Sequence, residues 1–373
     1  MNSRYLRSLL TLLAVPGVGA ESIRTISQRC GSFEHFVDIL SGDDWKDLPL
    51  PNPILREALK DDAACRMADR IMDGVDRERY AIVTWWDEHY PFRLREIHRP
   101  PLVLFYRNSN PVWDFARTVA IVGTRKATDY GRQAVRTLME GLVRYRPIII
   151  SGLAFGIDAW AHELALEMGL PTVGVLGHGF DHFYPAAHRK LADRMVVEGG
   201  DVITEFFPWE RPERYHFPQR NRIIAGLADM TVVVESRARG GAMLTAELAF
   251  SFNREVGAVP GLFNAETAVG PHRLIQRQMA HLITSAEDIA HVMGWSVVDV
   301  TPQQRAYRPE SKQERYILRA LTRKADLTLD ELAAMTSMDA AELASCILNL
   351  EFQRVIENVR GQTYRLIAQV DLS

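Results

Sequence analysis

Between about residue 80 and residue 296 the chain alternates short apolar, β-rich runs with amphipathic helical stretches. That alternation leaves few folds open. The runs are TVAIVG (118–123), PIIISG (147–152), PTVGVLG (171–177), DVITE (201–205), TVVVE (231–235), VGAVP (256–260) and HLIT (281–284). Uninterrupted apolar strands are buried on both faces, and helices between them make parallel crossovers. One such helix follows Gly131, with Ala134, Val135, Leu138 and Leu142 on a face. Another carries Ile157, Ala161, Leu164, Ala165 and Met168. The pattern predicts a Rossmann-like, doubly wound α/β domain over residues 76–296. The preceding segment, AIVTWWDEHYPFRLREIHRPPLVLFYR (81–107), is expected to add edge strands.

The flanks read differently. Residues 1–75 are predicted all-helical. LLAVPGVGAESIRTI has the form of a helix-hairpin-helix (SAM-like) module, with a tight turn at Gly17, Val18 and Gly19. Such a turn can present N–H groups to a phosphate, and equally it can close a plain helical hairpin. The start of the chain has signal-peptide features, with Arg4 and Arg7 before an apolar run, but helical periodicity continues through Ile23 and Ile26. No later run approaches the ~20 apolar residues of a membrane span. Residues 297–311, VVDVTPQQRAYRPES, read as a linker. Residues 312–373 read as a winged-helix domain: three helices, then the hairpin RVIENVRGQTYRLI turning at Arg360 and Gly361.

A net charge of −3 over 373 residues means that any nucleic-acid site must be a local patch. Cys30, Cys65 and Cys346 form no CxxC pair. They suit a reducing cytoplasm and argue against a disulfide framework or a structural zinc.

In an open α/β sheet, ligands bind beyond the carboxyl ends of the strands. The first strand-to-helix loop, GTRKATDYG, contains Gly123, Arg125 and Lys126. It is neither GxGxxG nor GxxxxGK[ST], which argues against a dinucleotide site and ATP hydrolysis. The second, SGLAFGID, has Gly152 and Gly156 just before a helix, where backbone N–H groups suit a phosphate. Asp158 and His162 there are expected to cap and pair. GHGFDHFYP (177–185) offers Asp and His without metal-ligand spacing. The fourth loop leads to HFPQRNRIIAGL (216–227), a predicted helix with Ile223, Ile224 and Leu227 on one stripe. Its first turn holds Arg220, Asn221 and Arg222 and no acid, against the helix dipole. Arg220 shares the apolar stripe and is expected to be partly buried. Arg222 lies off it and reads as the purer binding residue. The fifth loop, ESRARGGAMLTAE, adds Arg237, Arg239, Gly240 and Gly241. Six cations from different loops on one edge point to an anionic ligand, with Glu205 and Glu235 available to pair with one or two of them.

Four segments, AIVGTRKATDYG, SGLAFGIDAWAH, FPQRNRIIAGL and GAMLTAELA…REVGAVPG, resemble the DNA-processing protein A (DprA/Smf) family, over nearly the whole chain. The resemblance implies a Rossmann-like core that binds single-stranded DNA, protects incoming DNA, dimerises, and loads the RecA recombinase in natural transformation. Arg125, then Gly152, Gly156 and Asp158, then Arg220, Asn221 and Arg222 match the family's motifs. No cofactor, metal or catalytic residue is implied, and the protein is expected to be cytoplasmic and non-enzymatic. The chain departs from the usual pattern at His178, His188, His272, Arg273 and Met279.

Two other functions compete. A nucleotide hydrolase of the lysine-decarboxylase-like (LOG) type would use the same pocket with Glu247, but its PGGxGTxxE motif is incomplete here. A transcription factor would rest on the winged helix alone, whose DAAELASCILNL helix carries Asp339 and Glu342 and only Asn349 for base reading. That composition favours a protein-contact role. Phe155, Phe180 and Tyr184 are candidate base-stacking residues or core.

Overall fold

In a computed structural model, the described residues are 2–42, 53–77, 79–108, 116–298, 309, 311–324, 326–336, 338–353, 355–366 and 370. Residues 1–298 form one compact unit and 299–373 a second.

The first unit opens with α1 (Ser3–Ala14), α2 (Ala20–Arg29), α3 (Phe33–Ser41), α4 (Pro53–Ala58) and α5 (Asp62–Asp76). Gly17 turns the chain between α1 and α2 at a φ of +89°, a left-handed conformation glycine adopts without strain. The apolar run at the start is thus an ordinary core helix, with Leu9, Leu10 and Leu12 fully buried. These helices share a cluster with Val103 and Phe105. The change near residue 75 is therefore a change of structural type inside one compact unit. No helix among the described residues is long and apolar enough to cross a membrane.

The sheet follows: β1 (Ala81–Thr84), α6 (Phe92–Arg95), β2 (Val103–Tyr106), β3 (Thr118–Val122), α7 (Asp129–Leu142), β4 (Ile148–Ser151), α8 (Ile157–Glu167), β5 (Thr172–Val175), α9 (Arg189–Val197), β6 (Asp201–Thr204), α10 (His216–Leu227), β7 (Met230–Val233), α11 (Gly241–Ser251), β8 (Glu255–Ala258), α12 (Val269–Gln276), β9 (His281–Leu282) and α13 (Ala286–Met293). The strand order is β1-β2-β6-β5-β4-β3-β7-β8-β9. From β6 to β9 every neighbour is parallel, while β1 and β2, from the segment expected to add edge strands, pair antiparallel. β3 to β8 are buried throughout except Glu255. Helices α10 and α11 cover one face around Ile223, Ile224 and Ala246. Helices α7, α8 and α13 cover the other around Val135, Ala161 and Ile289. The chain leaves β3 toward β4 on one side and reaches β7 on the other. This places the topological switch point between β3 and β7, where such sheets open a crevice.

The second unit has α14 (Lys312–Arg323), β10 (Leu327–Thr328), α15 (Leu329–Thr336), α16 (Ala340–Phe352), β11 (Ile356–Arg360) and β12 (Thr363–Leu366). β12 pairs with β11 and β10, and Gly361 turns the hairpin at a φ of +61°. Three helices on a small sheet, around Ile317, Leu332 and Leu350, make a winged helix with its own core. The stretch read as a linker, 297–311, falls mostly outside the described residues.

Candidate nucleic-acid interface

A cleft of about 390 Å³ opens at the switch point. Its walls come from the β3 loop (Gly123, Arg125), the first turns of α10 (Phe217, Arg220, Asn221) and the β7 loop with the start of α11 (Arg237, Arg239, Gly240, Gly241). Three stretches distant in sequence meet there because each follows the carboxyl end of a strand of the same parallel sheet.

Buried polar contacts hold these loops. Glu235, at the end of β7, accepts from the Thr128 N–H (2.9 Å) and Oγ1 (2.7 Å) and from Thr267 Oγ1 (2.9 Å). One carboxylate thereby ties the β3 loop and the segment after β8 to the β7 loop, rather than pairing with an arginine. Asn221 donates from Nδ2 to the Gly241 carbonyl at 3.2 Å, joining α10 to the start of α11. Helix α11 opens at Gly240 with no side-chain cap and no acid in its first turn. Its first N–H groups are the standard anion-attracting end of a helix.

The cations divide into three kinds. Arg125 and Arg239 are exposed and line the cleft, and neither has an ion-pair partner among the described residues. The Arg125 guanidinium stands 5.4 Å from the Phe217 ring centre. Lys126 is exposed on the same loop but does not line the cleft. Arg237 lines the rim and is bonded to Glu266 at 2.5 Å, with both side chains largely exposed. Arg220 is buried beneath the cleft and donates to the Gly152 carbonyl at 2.7 Å and to the Val175 carbonyl. Burial lowers its pKa to about 10, which still leaves it charged at neutral pH. It shapes the floor and adds fixed positive charge.

Arg222 corrects the sequence-based expectation. It lies off the Arg220 stripe, yet its side chain is only 14% exposed and is ion-paired with Glu205. It lines a separate cavity with Glu205, Phe206 and His216 instead of the cleft. Helix α10 is covered on more than one side, so a position off the stripe is not thereby exposed. Gly152 and Gly156 are corrected too. The Gly152 N–H bonds Asp158 Oδ2 at 3.2 Å and its carbonyl accepts from Arg220, so it is internal to the fold. A Cβ on Gly156 would stand 2.3 Å from the Thr124 carbonyl, and one on Gly123 2.4 Å from the Ile157 side chain. These two glycines permit close packing of loops. Gly240 and Gly241, by contrast, face the cleft and are exposed.

Asp158 is buried in the first turn of α8 and accepts from the Gly152 N–H of the preceding loop, so it ties that loop to the helix and does not cap α8, whose start at Gly156 has no side-chain cap. Desolvation raises its pKa, against the pull of Arg220. His162 does not pair with it: His162 Nδ1 meets Thr172 Oγ1 at 2.6 Å, and burial drops the histidine pKa to about 3, so it is neutral. His178 and His188, where the chain departs from the family pattern, bridge loop backbone through Gly179, Tyr184 and Leu153. Among the described residues no group of three His, Cys, Asp or Glu is placed to hold a metal ion. Glu247 is exposed on α11 and outside the cleft's lining, away from where a LOG-type acid would act. Of the candidate stacking residues, Phe155 and Tyr184 are exposed, while Phe180 packs 6.1 Å from Tyr80. Sequence reading missed Phe217 as a cleft residue. The available signal was its place in the first turn of a helix whose start faces the ligand edge.

The fold and site define a doubly wound α/β protein with a basic cleft at its switch point, carried together with a winged helix. The chain belongs to the DNA-processing protein A (DprA/Smf) family. A family model for DNA recombination-mediator protein A matches residues 81–294, and one for the DprA winged helix domain matches residues 301–362. DNA processing protein DprA of Bacillus subtilis is 42% identical over 202 residues, covering 54% of this chain and 67% of that protein. The X-ray structure of DNA processing protein A from Streptococcus pneumoniae superposes with a TM-score of 0.63 at 30% identity, over 80% of this chain and 99% of that one. A structure of DNA processing protein A from Helicobacter pylori, described for its single-stranded DNA binding mode, has a TM-score of 0.51 at 25% identity. It covers 58% of this chain and 97% of its own.

Proposed function

We propose that this protein binds the phosphates of single-stranded DNA in the switch-point cleft, without catalysing a reaction on it, and serves DNA processing in transformation. The observation that carries the reading is the pair of exposed cations, Arg125 and Arg239, which have no ion-pair partner among the described residues and stand beside the uncapped start of α11. A single strand can fold its phosphates into so narrow a cleft and leave its bases to stack on aromatic side chains. The Helicobacter pylori relative's described binding mode supports the ligand. Handing the bound strand to RecA, acting as a homodimer and residing in the cytoplasm complete the proposal. They rest on family membership and on three free cysteines.

Anisotropy titrations with labelled oligonucleotides test this. Binding is expected to prefer single strands. The slope of log K against log salt should be about −0.7 for each phosphate neutralised. Equal affinity for duplex, or a flat salt response, overturns the reading.

The winged helix is not expected to share in DNA binding. Residues 312–373 hold eight Lys and Arg against nine Asp and Glu. Asn349, the base-reading candidate on α16, donates to Glu314 Oε1 at 2.8 Å and is thus occupied. The unit has its own core, so the fragment can be made alone. It should give no mobility shift with duplex or single strand at physiological salt. A tight duplex complex would make it a DNA reader.

A further inference from the structure

The loop after β8 carries two large apolar side chains in the open: Leu262 is 76% exposed and Phe263 90%. Tyr130, 51% exposed, stands at its base, with its hydroxyl on the Pro260 carbonyl and its ring against Gly261. Leaving such side chains in water forgoes the gain from burying them, and a contiguous apolar patch marks a contact site.

The loop is also tied firmly in place. The Ala265 N–H closes a turn on the Leu262 carbonyl at 3.0 Å, and the Ser236 N–H bonds the Thr267 carbonyl at 2.7 Å. Thr267 Oγ1 reaches Glu235, and Glu266 pairs with Arg237. The tip is therefore held to the same β7 loop that supplies the cleft's arginines. Strands β3, β7 and β8 are consecutive in the sheet, so their loops stand in a row along one edge. Glu266, three residues beyond Phe263, pairs with Arg237 on the cleft's rim, so the two loops touch.

We propose that Phe263, backed by Leu262 and Tyr130, is a stacking platform for nucleobases of the single strand held in the cleft. This rests on the cleft being a single-stranded DNA site. The occupant is a nucleobase because the patch is apolar and aromatic and its loop is bonded to the arginine-bearing loop of a cationic cleft. Every base has a face that stacks, whatever its identity.

The test uses the full chain and a roughly twenty-nucleotide oligothymidine, long enough to run past the cleft. Phe263→Ala is expected to weaken binding about five- to tenfold, at the low end for one stacked base. Phe263→Trp should keep wild-type affinity, and its indole fluorescence should be quenched on binding. Replacing thymidines by abasic residues should weaken Phe263→Ala less than the wild type, by about the factor that Phe263→Ala itself costs. The melting temperature and the mass in solution should not change. Unaltered affinity in Phe263→Ala, an equal loss on abasic oligonucleotide, or a fall in mass overturns the platform, the last by making the loop a contact between copies. Arg125→Ala in parallel separates the two readings: if it too leaves binding intact, the cleft assignment fails and the platform with it. If it weakens binding while Phe263→Ala does not, only the platform fails.

Discussion

Glu205→Ala should destabilise residues 1–298 by about 3–5 kcal/mol, the usual cost of stripping one partner from a buried ion pair. Glu205 and Arg222 have side chains only 11% and 14% exposed, and Glu205 is the acid bonded to this guanidinium. The variant strips a largely buried cation of the carboxylate bonded to it. Glu205→Leu combined with Arg222→Met should recover most of the loss, because an apolar pair of similar volume replaces two desolvated charges. Urea unfolding of the three proteins measures this, and the single-stranded DNA affinity of the folded protein should stay at the wild-type value throughout. Arg222→Ala belongs to the same set: stability falls, affinity holds. If it keeps full stability and loses affinity, Arg222 meets the ligand and the structural assignment is wrong.

Arg125→Ala with Arg239→Ala should produce the opposite pattern. Each removes a charged hydrogen-bond donor to a phosphate, worth about 1.5–3 kcal/mol. The double variant is then expected to bind at least a hundredfold more weakly, and to lose about 0.7 from the salt slope for each phosphate contact removed. Both side chains are exposed and neither has an ion-pair partner among the described residues, so the unfolding midpoint should not move. Arg237 supplies an internal control, since its charge is already shared with Glu266. Arg237→Ala should cost less than either, and Glu266→Gln should strengthen binding modestly. A double variant that binds normally would remove the cleft from consideration.

Residues that stand side by side in the sequence can part company in the fold. Arg220, Asn221 and Arg222 lie in one helical turn with no acid, and the dipole argument treats them alike. The structure gives each a different task. Arg220 braces Gly152 and Val175, Asn221 braces Gly241, and Arg222 neutralises Glu205. The stripe through Ile224 and Leu227 did indicate that Arg220 would be buried. It could not indicate the same for Arg222, because a stripe reports one packed face and α10 is packed on several. Glu235 shows the same limit. It was available as an arginine partner, and it instead gathers Thr128 and Thr267, residues far from it in sequence.

Much of the fold was legible because its signals are local. Apolar runs mark β3 to β9, the 3.6-residue period marks α7, α8 and α10, and Gly361 marks the turn of the winged-helix hairpin. From these, the parallel sheet, its edge strands and the loops at its carboxyl edge all follow by general rules of chain handedness and topology. Sequence alone thus determined the architecture, the ligand edge and the excess of cations on it. Which cations stay free was decided by tertiary structure, because an arginine's partner is set by what packs across from it. Glu205 stands at the end of β6 and is brought onto Arg222 by the way α10 folds back, and Glu266 comes from a loop beyond β8. Burial then turns a nearby carboxylate into an obligatory partner, while the same arginine in open water would remain available to a phosphate.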